Sequence, residues 1–267
     1  MAAAALVAVS CEKNPNEENK NEGEDNTTPK KTLTKIASEL NEDYEFLYGY
    51  SFTYGEDGKL ASVYEVGDWG EYNLNVVWNG NTVTFKEDAN DEYPEGKVVY
   101  TWTIGSNGYV SKCVKGDSVY SYEYDADNHL VKVFEDWGEG NQLVSQCTWE
   151  NGNMTSWTKE KELENEETGE KYARVKRQTY KEDVNVAGIF TAFSEKGNLK
   201  KWMFSLNFFG KASAQLVATD KWDDAEKDAK FEYRTDDDDY VVAEVKYYMN
   251  DDLTTYKLDD ESYYFWE

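Results

Sequence analysis

From Tyr48 onward, polar and apolar side chains alternate with a period of two, and this restricts the chain to β-structure. Tyr50-Ser-Phe52-Thr-Tyr54, Tyr100-Thr-Trp102-Thr-Ile104 and Tyr120-Ser-Tyr122-Glu-Tyr124 each place their large residues on one face of an extended segment. Each run ends in a Gly/Asn/Asp-rich turn, followed by an aliphatic anchor and a second run, which is the signature of a hairpin. The turns align: Tyr54-Gly-Glu-Asp-Gly-Lys-Leu60, Ile104-Gly-Ser-Asn-Gly-Tyr-Val110, Tyr124-Asp-Ala-Asp-Asn-His-Leu130 and Thr235-Asp-Asp-Asp-Asp-Tyr-Val241 have one length. Phe193-Ser-Glu-Lys-Gly-Asn-Leu199 has the same length, and the turns before Val83 and Met154 are one residue shorter. The anchors Leu60, Val83, Val110, Leu130 and Met154 recur every 20–27 residues, followed by two longer gaps to Leu199 and Val241. A spacing of this size indicates a repeated unit. A single hairpin is too small to be stable, so the units must join. The expected fold is all-β: an antiparallel meander of repeated hairpins forming an elongated, curved sheet over residues 44–267, with one apolar face.

Composition adds two constraints. The 267 residues include 21 Tyr and 9 Trp, which supply the apolar area of a core. Set against 28 Lys+Arg, 54 Asp+Glu give a net charge of −26. This disfavours binding to nucleic acid, or to anionic lipid by charge. Two stretches break the alternation. Residues 158–182, rich in Lys and Glu, are expected to form a long projecting hairpin, and residues 210–230 a loop or short helix.

The N-terminus carries a different signal. Residues 1–10 are apolar and too short to span a bilayer, and they read as the remnant of a signal peptide. Ala8-Val9-Ser10-Cys11 resembles the lipobox of bacterial lipoproteins, which implies lipidation of Cys11 and anchoring without a membrane-spanning helix. Residues 11–43 then read as the lipidated Cys followed by a flexible acidic tether. Leu33, Ile36 and Leu40 within it fit either a helical turn or an extended lead-in. The acidic residues beginning at Glu17-Glu18 resemble the export signal of Bacteroidetes surface lipoproteins. That implies an outer-membrane, lipid-anchored protein displayed at the cell surface, with the periplasmic face as the alternative.

Tyr122-Glu-Tyr124-Asp-Ala-Asp-Asn-His-Leu130 resembles the YD/RHS repeat, Tyr-x-Tyr-Asp-x-x-Gly-x-Leu, with Asn128 in place of the Gly. With the lipobox and aromatic hairpins, the chain is similar to uncharacterised YD-repeat-like outer-membrane lipoproteins of Bacteroidetes. The resemblance covers residues 44–257 and implies no activity.

Few residues point to chemistry. His129, the single histidine, occupies a turn position filled elsewhere by Lys, Tyr or Asn, so it reads as a solvent-facing residue without a catalytic role. With Cys11 assigned to lipid, Cys113 and Cys147 form either a disulfide or two buried thiols. No cofactor and no metal are expected. Asp236–Asp239 is a Ca²⁺ candidate by its oxygen density, yet it aligns with turns in which acids only shape the backbone. Asp68-Trp69-Gly70-Glu71 recurs as Asp136-Trp137-Gly138-Glu139, with a looser relative at Trp222. Trp beside acids in a loop suits stacking on a sugar ring, although closing the hydrophobic face of the sheet is the commoner use of such a residue.

The expected function is therefore a non-catalytic cell-envelope lipoprotein that binds a glycan or an envelope protein through its sheet face or its aromatic loops, at Trp69, Trp137 or Trp222. The alternatives are a carbohydrate-active hydrolase using paired carboxylates, and an assembly component that pairs through sheet edges.

Overall fold

The structure is a computed structural model that describes residues 30–40, 46–67, 70–165, 167–191 and 200–267. Lys31–Glu267 forms one compact unit. Among the described residues the strands are β1 (Leu33–Leu40), β2 (Phe46–Tyr54), β3 (Leu60–Gly67), β4 (Gly70–Asn79), β5 (Thr82–Glu87), β6 (Val98–Ile104), β7 (Val110–Lys115) and β8 (Ser118–Tyr124). They continue with β9 (Leu130–Asp136), β10 (Gln142–Glu150), β11 (Asn153–Glu164), β12 (Lys171–Val184), β13 (Gln215–Trp222), β14 (Ala229–Thr235), β15 (Val241–Met249) and β16 (Tyr256–Trp266). One short helix, α1 (Lys201–Ser205), lies between β12 and β13.

Each strand pairs antiparallel with the next, as the hairpin repeat predicts. The sheet does not stay open, however. β1 pairs with both β2 and β16, and the meander closes into a barrel. This corrects the elongated curved sheet, and the physical reason is the edge: an open meander leaves two rows of unpaired backbone groups, which closure satisfies. It also corrects the tether boundary at residue 43. Residues 33–40 are extended and form the closing strand. The segment 158–182 is the β11–β12 hairpin, built into the wall, and the expected loop or helix over 210–230 contains all of β13. The Leu199 unit lies outside the described residues.

Four of the aligned turns are congruent. In each, the first turn residue (Gly55, Gly105, Asp125, Asp236) donates its N–H to the carbonyl of the fifth (Lys59, Tyr109, His129, Tyr240). The first residue's carbonyl accepts from the fourth, which has positive φ: Gly58 (73°), Gly108 (84°), Asn128 (68°) and Asp239 (62°). That left-handed position is tolerated by Gly, Asn and Asp, so Asn128 keeps the turn geometry that Gly58 and Gly108 adopt.

Partners opposite each other in the ladders share a face, so register and burial together sort inside from outside. Inward positions include Phe52, Val63, Phe85, Tyr100, Trp102, Tyr122 and Leu130, all buried. Outward positions carry polar cross-strand pairs: Thr53–Ser62 and Thr179–Thr219 (each 2.7 Å), and Glu123–Lys132 (3.4 Å). A barrel that spans a bilayer has the reverse pattern, with an apolar outer band.

The interior is filled. The β12–β13 connection folds inward and carries Trp202, Met203, Phe204 and Phe209, all fully buried. The Trp202 ring lies 5.8–6.4 Å from Tyr50, Phe52, Phe85 and Trp102, which come from three strands of the wall. Phe209 meets Trp102 at 5.3 Å and Tyr122 at 4.9 Å, both edge-on. A five-residue helix without a side-chain cap is not stable by propensity, and here tertiary packing holds it.

Candidate functional site

The outer wall has one region of different character, across β14, β15, β16 and β1. Register places Arg234, Ala243, Tyr263 and Ala37 in a single outward row. Ala243 is small and buried beneath its neighbours, and it lies in the same hollow as Tyr263 and Phe265. The resulting cleft has a volume of about 590 Å³, within the range of small-ligand sites, and Thr34, Lys35, Arg234, Tyr263 and Phe265 line it. A second hollow of about 310 Å³ continues past Arg234, lined by Glu232, Val245, Tyr247, Leu258 and Glu261.

The side chains here are pre-positioned by one another. Arg234 donates to Glu261 Oε1 at 2.6 Å and sits 5.7 Å from the Tyr263 ring. Lys35 Nζ is 6.0 Å from the Phe265 ring. Lys230 Nζ lies 4.7 Å from the Tyr247 ring and 5.2 Å from that of Tyr256. Partial burial, then the Glu261 carboxylate, raises the Tyr263 hydroxyl above its ordinary value despite Arg234, so it stays protonated at neutral pH. Ring faces flanked by carboxylates and cations are the elements of a site for a polyhydroxylated ligand.

A second polar group lies inside. Lys201 of α1 donates to Glu244 Oε1 (3.0 Å) and Ser262 Oγ (2.9 Å), and Lys176 to Asp220 Oδ2 (2.9 Å). On the opposite wall, Lys200 pairs with Glu65. The two consecutive lysines thus fasten the inserted segment to β3 on one side and to β15 and β16 on the other. Burial alone would lower Lys201, but the Glu244 carboxylate and the neighbouring Tyr264 outweigh it, and its pKa is raised. Asp220 is raised because burial exceeds the help from Lys176.

The residues singled out in the sequence do not converge on the cleft. Cys11 and Trp69 lie outside the described residues. Trp137 is 58% exposed in the β9–β10 loop, where Asp136 Oδ1 accepts from the N–H groups of Gly138 and Gly140. Trp222, at the end of β13, faces inward by register beside Asp220. Arg174 (4.3 Å), Lys176 (4.9 Å) and Lys159 (5.6 Å) lie against its ring.

Cys113 and Cys147 are both buried thiols that form no disulfide, which corrects the disulfide alternative. They sit on β7 and β10 with two strands between them, about 14 Å at the usual strand spacing. A disulfide spans about half that distance. Burial pushes the Cys113 thiol up to about 12, so it is no nucleophile. His129 is buried, not solvent-facing: its ring stacks on Trp149 (4.3 Å, 14°), and Nδ1 lies 3.0 Å from Asp125 Oδ2. Asp236 accepts from the N–H groups of Asp238 and Tyr240 and from Lys31 Nζ, the arrangement of a turn former. Among the described residues no His/Cys/Asp/Glu group has metal-site geometry.

The cleft residues escaped notice in the sequence. Tyr263-Tyr264-Phe265-Trp266 is a run of four aromatics, and a strand sends alternate members to opposite faces. Two of the four are therefore surplus to the core, and that excess was the available signal.

No protein-family profile matches the chain, and no curated protein matches it. Solved structures do. A porin-like protein from Bacteroides uniformis superposes with a TM-score of 0.63 at 15% identity, covering 88% of this chain and 98% of its own. A porin-like protein from Bacteroides vulgatus gives 0.52 at 14% identity with the same coverage. At such identities the likeness is one of fold: this chain shares its antiparallel barrel with those proteins.

Proposed function

We propose that this protein is a non-catalytic, glycan-binding lipoprotein of the outer membrane, held through Cys11, with its barrel in water and its ligand on the outer wall. The observation that carries the reading is the cleft lined by Tyr263 and Phe265 together with Lys35, Ala243 and Arg234. The filled interior supports the same reading, because Trp202, Phe204 and Phe209 occupy the space through which a solute would pass. The polar outer face supports a barrel surrounded by water, and the fold neighbours from Bacteroides fit a Gram-negative envelope.

Titration of residues 30–267 with soluble polysaccharides, followed by Tyr and Trp fluorescence and calorimetry, tests this. Tyr263→Ala and Phe265→Ala are expected to weaken binding at least about tenfold, which corresponds to ~1.4 kcal/mol, with the melting temperature little changed. Binding that survives both substitutions but is lost with Trp137→Ala moves the site to the loop. Channel activity of the protein in planar bilayers overturns the reading altogether.

A further inference from the structure

Among the described residues the shortest ladder of the barrel is the seam between β13 and β14. β13 and β14 are joined only by Thr219↔Lys230 and Asp220↔Ala229. Beyond these pairs the strands part, although β13 stays paired with β12 as far as Gln215, and β14 stays paired with β15 as far as Thr235. Residues 215–218 and 231–235 therefore face each other without a ladder. The space between them is a cavity of about 330 Å³, lined by Lys181, Val184, Val186, Leu216, Tyr233 and Thr235 among others. Val184 and Val186 form an apolar lip, 66% and 42% exposed. The Tyr233 hydroxyl is buried, lies at the inner side and makes no well-formed hydrogen bond. Burial, and then the Glu244 carboxylate, holds its pKa far above the ordinary value.

We propose that this seam receives an extended polypeptide strand from another protein, which adds to the free edge of β14. A strand edge presents N–H and C=O groups at the spacing of a β-ladder, and a polypeptide backbone supplies partners at the same spacing. The apolar lip and Leu216 select small aliphatic side chains at alternate positions of the incoming strand, and Lys181, Asp183 and Asp239 leave the mouth polar. This site is separate from the outer-wall cleft and does not depend on glycan binding.

The test uses residues 30–267 and an octapeptide alternating valine with threonine, carrying one terminal lysine. Amide exchange is followed residue by residue by NMR. The peptide is expected to slow exchange at least about tenfold for the amides of 231–235 that point away from β15. The same peptide N-methylated at alternate residues is expected to have no effect. Val184→Glu with Val186→Glu, a change to two exposed side chains at the lip of the cavity, is expected to lose the response. The proposal is overturned if the seam amides of the free protein exchange as slowly as those of β15. It is also overturned if the peptide has no effect, or if the N-methylated peptide acts equally well.

Discussion

The Trp149 indole donates through Nε1 to the carbonyl of Leu130 across 2.8 Å. The contact recurs around one rim of the barrel: Trp78 donates to Leu60 (2.9 Å), Trp266 to Val241 (2.8 Å), Tyr124 to Val110 (2.6 Å), Tyr180 to Met154 (2.7 Å) and Tyr54 to Leu33 (2.6 Å). In every case an aromatic side chain near the end of an even-numbered strand ties down the first or second residue of an earlier odd-numbered one. Five of the six acceptors are anchors that the turn alignment picked out. The anchor repeat therefore marks where the chain turns and also where the next aromatic bonds back to it.

Trp149→Phe keeps the ring and removes the donor, leaving the Leu130 carbonyl without that partner. The expected loss is about 1–2 kcal/mol of unfolding free energy, measured in guanidinium, with the m-value unchanged. Trp78→Phe and Trp266→Phe are expected to behave alike, because their geometry is alike.

Strands, turns and the inward face were legible in the sequence because each depends on residues within one hairpin. The alternation at Tyr120-Ser-Tyr122 decides which side chains point inward, and Asp125 and Asn128 fix the turn that follows. Closure was not legible. It depends on Leu33–Leu40 pairing with residues more than 200 positions away, and those eight residues have no clean period-two pattern. The inserted segment was hidden for a related reason. Trp202 and Phe209 belong to no strand, and only the enclosing wall makes their burial favourable.

Trp202→Ala tests that insert. The indole is fully buried among rings from three strands, so truncation leaves a cavity bounded by a wall that cannot collapse. A cost of about 3–5 kcal/mol is expected by chemical denaturation.

The Lys201–Glu244 pair is expected to show the asymmetry of a buried ion pair. Lys201→Met removes the cation from the buried Glu244 carboxylate and should cost about 3 kcal/mol or more. The double variant Lys201→Met/Glu244→Leu removes both charges and should recover most of that loss. A double variant as unstable as the sum of the two single variants would show that the two residues act independently.

Acid stability should follow the aspartates that cap the turns. Asp252 accepts from the Thr255 hydroxyl and from the N–H groups of Thr254 and Thr255, which holds it at about 2. Asp125 and Asp236 are also lowered. In both, partial burial opposes the shift, and hydrogen bonds from the turn backbone with His129 or Lys31 outweigh it. A carboxylate whose folded pKa lies below its unfolded value contributes stability that is complete above the unfolded value, near 3.8 for Asp252, and is lost as pH falls towards 2. The melting temperature is therefore expected to be flat from pH 7 to about 5 with respect to these groups and to drop steeply below about 4. Asp252→Asn and Asp125→Asn should each lower the plateau slightly and make the acid limb shallower. An acid limb of unchanged slope in both variants would assign the pH dependence to other carboxylates.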